Sequence, residues 1–128
     1  MKRNILNHGY VAISTVIVVV AVLLIILTTT SLVAISEGQM SLSGKKADES
    51  SNLVEGCVED ALIRINKSNN LPTSLILPEG QCTVTIDSHV GNDWKFTISG
   101  SVDNYTKKVQ VQASRGSVIT ITNWKEPT

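Results

Sequence analysis

The residues of this sequence that could do chemistry are few: Cys57 and Cys82, His8 and His89, Ser88 beside His89, and the run from Gly38 to Lys46. A nucleophile-histidine-acid set would have to rest on His89, and Ser88-His89 falls where the pattern predicts a turn, so turn chemistry is the simpler reading. The cysteines stand 25 residues apart with no histidine pair near them, which is not the ligand spacing of a zinc site. GQMSLSGKK has the glycines and lysines of a phosphate loop, but five residues separate the glycines instead of four, and Lys46 stands where a magnesium-binding Ser or Thr is needed. No catalytic residue, metal ligand or cofactor is expected, and the chain reads as a non-enzyme. A disulfide between Cys57 and Cys82 is the leading reading of the pair, with two reduced core thiols as the alternative. Asn66-Lys67-Ser68 and Asn104-Tyr105-Thr106 match the glycosylation acceptor pattern, which such loops also produce by chance.

These residues depend for their placement on a stretch with no chemistry of its own. From Gly9 to Ser36 there are 28 residues without Asp, Glu, Lys or Arg. At about 1.5 Å per residue a helix of that length exceeds a hydrocarbon core of about 30 Å. Ile13 to Leu27 is almost wholly aliphatic. Thr28, Thr29, Thr30 and Ser31 form a polar step that suits an interface, a partner helix or hydroxyls bonded back to the backbone. Residues 1–9 form a basic leader, too short and polar to fold by themselves, and 10–36 the transmembrane helix. Lys2 and Arg3 precede the span and no basic residue follows it until Lys45, which places the N-terminus in the cytoplasm and the rest outside. A secretory signal cleaved after Ser36 is the competing reading, but the apolar run is longer than such signals carry.

Glu37 to Thr128 leaves 92 residues, enough for one small domain. Formal net charge is zero, and Lys45-Lys46 and Lys107-Lys108 are isolated pairs, so nucleic acid is not an expected partner. Leu53, Val54, Cys57, Val58, Ala61, Leu62 and Ile65 recur at three- and four-residue steps, which predicts an amphipathic helix over 37–66 continuing from the span. Residues 67–80, with Pro72 and Pro78, read as an irregular connection in which Ser74 to Leu77 could pair briefly. From Gln81 the period becomes two. Strands are expected at Gln81–Asp87, Trp94–Val102, Tyr105–Ser114 and Val118–Trp124, joined by short turns into an antiparallel meander that makes up 81–128. The predicted fold is α+β: a long N-terminal helix, transmembrane and then amphipathic, packed on a sheet of about four strands, with Cys57 to Cys82 stapling the layers. Trp94 and Trp124 are read as core or edge packing.

The basic leader ending in Gly9, the aromatic Tyr10, the charge-free helix that starts at once, its amphipathic continuation and the antiparallel sheet together resemble type IV pilin-like proteins, in particular minor pilins and pseudopilins. The resemblance covers the whole architecture, and its motif lies within Lys2 to Leu27. It implies cleavage after Gly9 by a prepilin peptidase, methylation of the new N-terminus at Tyr10, and assembly with other pilin-like subunits through the N-terminal helix into a pilus or a secretion pseudopilus. Family members usually carry Glu at mature position five, where the sequence has Ser14. A carboxylate in lipid must be paired, so Ser14 removes both its cost and its attraction for a neighbour. That departure is like certain minor subunits at a filament tip. The alternative is a single-pass membrane protein that never assembles and whose small extracytoplasmic domain binds another molecule.

Overall fold

The computed structural model describes the backbone of residues 4–127 and the side chains of residues 9–127. Lys2 and Arg3, on which the expected orientation rests, lie outside the described residues. Contacts divide the chain into two compact units, Met1–Leu42 and Ser43–Thr128. One element, helix α1 (Asn4–Ser68), runs through both.

In the first unit α1 carries a run of aliphatic residues without proline, and nothing lies within 4 Å of a Cβ built at Gly9 or Gly38. The helix already includes Asn4 to Gly9, where the sequence reading expected no structure. A helix nucleated by the long span propagates backward through these residues because no breaker stops it. The span is long and apolar enough to cross a membrane, and none of its most apolar window is buried.

The second unit pairs the end of α1 with five strands: β1 (Ser74–Leu77), β2 (Gly80–Val90), β3 (Asp93–Val102), β4 (Tyr105–Arg115) and β5 (Ile119–Lys125). They form one sheet in the order β1-β2-β3-β4-β5, antiparallel throughout. The α+β architecture is thus the predicted one, with five strands in place of four. The additional strand is Ser74–Leu77. Its flanking prolines read as a broken connection, yet both lie outside the paired residues, where a missing N–H costs nothing to the ladder.

The helix ends at Ser68 because Asn69 adopts φ 50°, a left-handed residue whose N–H still donates to Ile65 O at 3.0 Å. Gly91 at φ 59° serves the two-residue turn between β2 and β3, and Asp103 at φ 52° the turn between β3 and β4. Leu53, Val54, Cys57, Val58, Ala61 and Ile65 from the helix meet Leu75, Cys82, Val84, Trp94, Phe96, Ile98, Val109 and Val111 in one buried cluster. The three-and-four spacing and the strand alternation therefore name most of the core. They fail at Ile86 and Ile121, which alternate correctly but remain 42% and 44% exposed because the helix does not cover the sheet that far.

Candidate functional site

The expected processing residues, Gly9 and Tyr10, lie on the helix, and Tyr10 is 75% exposed. Ser14 is partly buried, and its hydroxyl donates to Val11 O at 3.0 Å. Thr15 does the same to Ala12 O. The hydroxyls of Thr28, Thr29 and Thr30 each lie within bonding distance of the carbonyls three and four residues back, and Ser31 donates to Leu27 O at 2.8 Å. Of the three roles open to this polar step, the structure has the third. Four hydroxyls satisfied by their own backbone need no polar neighbour, so this surface is compatible with lipid or with an apolar helix.

Cys57 and Cys82 form a disulfide with their Cα atoms 6.4 Å apart, and neither is exposed. It joins α1 to β2 at the middle of the core. Gly100, on the neighbouring strand, gives this junction room: a Cβ there would stand 3.3 Å from Cys82 Sγ and 2.9 Å from Val54 Cγ2. Gly100 is buried on β3, and nothing in the two-residue alternation of the sequence signals that only a glycine fits there.

Ser88 and His89 occupy successive register positions, opposite Lys95 and Trp94, and so belong to opposite faces of β2. The His89 ring stacks on Trp94 with centroids 3.6 Å apart, and its Nε2 lies 3.1 Å from Gly91 O. Trp94 is buried, and its indole N–H has no hydrogen-bond partner. Trp124 is 41% exposed at the far edge of the sheet. Asn66 lies in the last turn of α1, where its carbonyl accepts from Arg115, and Asn104 is exposed in the turn between β3 and β4. Among the described residues no group of three or more His, Cys, Asp or Glu could hold a metal ion.

One ion pair that spacing could not reveal ties α1 to the sheet: Lys46 to Asp103, 57 residues apart. The hydrogen bond and the charge of Asp103 raise the Lys46 pKa above its ordinary value. Within the helix, Asp60 and Arg64, four residues apart, form a second pair at 2.8 Å.

Set against protein-family models, curated proteins and solved structures, the chain matches none.

Proposed function

We propose that this chain is a structural, non-enzymatic subunit of a type IV pilus or pseudopilus-like filament, in a minor or tip position. It is processed after Gly9 by a prepilin peptidase, methylated at Tyr10 and assembled through its N-terminal helix with other pilin-like subunits. Before assembly it is a single-pass membrane protein, N-terminus in the cytoplasm and outer domain beyond the membrane. The observation that carries this reading is the helix that begins its charge-free run at Gly9-Tyr10, buries none of its most apolar window and bonds the hydroxyls of Ser14, Thr15, Thr28, Thr29, Thr30 and Ser31 back to its own carbonyls. A free apolar helical surface on a stapled α+β domain suits a subunit whose helix passes from lipid to a bundle of like helices.

Mass spectrometry of the mature N-terminus tests it. A chain starting at methylated Tyr10 supports the reading, and an intact leader in cells that process other pilins sinks it.

Ser14 favours a second reading, a single-pass membrane protein that does not assemble and whose small outer domain binds another molecule. Crosslinking from positions along Val16 to Leu27 separates the two, since only the filament subunit gives contacts with several pilin helices. A secreted domain starting at Glu37 would require cleavage within α1, which continues unbroken past Ser36.

A further inference from the structure

The two long sides of the sheet are open in different ways. On one side β5 is the edge strand, paired only with β4. On the other, β1 covers β2 only from Gly80 to Thr83, and Val84 N–H donates to Thr73 O. Thr85 to Val90 therefore form a second open edge, and all six residues are exposed.

The register puts these edges at the same level of the sheet. Reading across β3 and β4, Trp124 stands level with Val111, Phe96 and Ile86; Asn123 with Gln112, Lys95 and Ser88; Ile121 with Ala113, Trp94 and His89; Lys125 with Gln110, Thr97 and Thr85. Because strands two and five of an antiparallel meander run in opposite directions, a copy displaced sideways in the plane of the sheet, without reversal, brings its Thr85–Val90 edge antiparallel to β5. The faces agree. Trp124 and Ile86 both lie on the helix side, as do Ile121 and His89, while Asn123 and Ser88 lie on the other.

We propose that the outer domain pairs head to tail with a second copy of itself, β5 of one adding to the open half of β2 of the next. Three observations choose this occupant. Four exposed apolar side chains of the sheet, Ile86, Val90, Ile121 and Trp124, sit at the two edges that would meet, while Ile76, 80% exposed on β1, lies outside them. The charges are complementary: Lys125 is the one charge on β5, and the opposing segment carries Asp87 and no Lys or Arg. A twofold pairing of β5 with β5 would turn the two helices in opposite directions, whereas sideways pairing keeps them aligned, as chains entering one membrane or one filament need. Heterologous pairing of this kind builds an open array.

The pairing needs no processing at Gly9, so it stands or falls apart from the filament reading. The test uses full-length chains coexpressed in their membrane with different tags, one carrying Ser88→Cys and the other Asn123→Cys, treated with a short bis-maleimide. Mixed dimers are expected when both variants are present, and only monomers with either alone. Adding Trp124→Asp to the Asn123→Cys chain is expected to cut the yield about tenfold, with the Cys57–Cys82 bond still formed as the sign of folding. Overturning results are three: no mixed dimer between folded chains, equal dimer formation by Asn123→Cys alone, or crosslinks only to a different protein.

Discussion

Gly100 and Val54 face each other so closely across the core that a methyl group on Gly100 would come 2.9 Å from Val54 Cγ2. The helix can sit this low on the sheet only because β3 lacks a side chain there. Gly100→Ala should therefore destabilise the α+β domain by about 1–3 kcal/mol, the usual cost of overpacking, despite the better strand propensity of alanine. Gly100→Val should cost more. Chemical denaturation followed by near-ultraviolet circular dichroism measures both, and an Ala variant as stable as the parent would mean that the helix and sheet can separate freely.

The disulfide closes a 25-residue separation, which corresponds to about 3–4 kcal/mol by the chain-entropy account. Cys57→Ser and Cys82→Ser should lose similar amounts, and the double variant should lose little more than either, because both break one bond. Free reaction of both thiols with an alkylating reagent in the native, unreduced protein would contradict the staple.

Trp94 fills its site but leaves its indole N–H without an acceptor. Trp94→Phe removes that orphaned donor while keeping an aromatic surface for His89, so its cost should stay below about 1.5 kcal/mol. Trp94→Ala should cost about 3–5 kcal/mol. Thermal melts of the two variants give the comparison, and equal losses would show that the indole N–H has a partner in solution.

Lys46 offers a test in pH. Its folded pKa is raised, so the stability it contributes is fully present below the unfolded value, near 10.5, and is lost only as pH rises through the higher folded value. Between pH 5 and 9 the Lys46–Asp103 pair should leave stability flat. Both partners are solvent-accessible, so added salt should weaken the pair, and Lys46→Met should remove that salt response with little other effect. Asp103→Asn keeps a residue that tolerates the left-handed turn and should behave alike. A salt response unchanged in both variants would show that the pair contributes nothing.

In the apolar unit, Leu24→Lys places a charge at the middle of the span, where insertion costs about 2.5–3.5 kcal/mol. Resistance to alkaline extraction from membranes should fall. Thr29→Val, which removes only a back-bonded hydroxyl, should leave extraction unchanged.

How much of this was readable depends on what each signal encodes. Val109, Val111 and Ala113 on one strand and Val54, Cys57, Val58 and Ala61 on the helix announce buried faces because burial follows the period of the backbone. The limits of burial do not. Nothing local to Ile86 or Ile121 says that the helix ends its cover before them, so their alternation promised a core they do not join. β1 was obscured for a related reason: Pro72 and Pro78 speak for the residues around a strand, and only the partner strand decides whether Ser74 to Leu77 pair. Lys46–Asp103 and Gly100–Val54 are relationships across the fold, invisible to spacing. The expected processing residues Gly9 and Tyr10, with Ser14 after them, are the reverse case: they are read from a resemblance and carry only modest structure as side chains.

The covalent link also sets how the α+β domain bears load. When the chain is pulled between the N-terminal end of α1 and the end of β5, tension passes from Cys57 directly to Cys82 and bypasses the intervening segment. The last part of the helix and all of β1 lie inside that shunt. About 85 Å of extendable chain is thereby locked away, at about 3.4 Å for each of the 25 residue steps. A reductant would turn a stiff coupling into a long elastic one, visible in single-molecule stretching as an added contour length without any change in sequence.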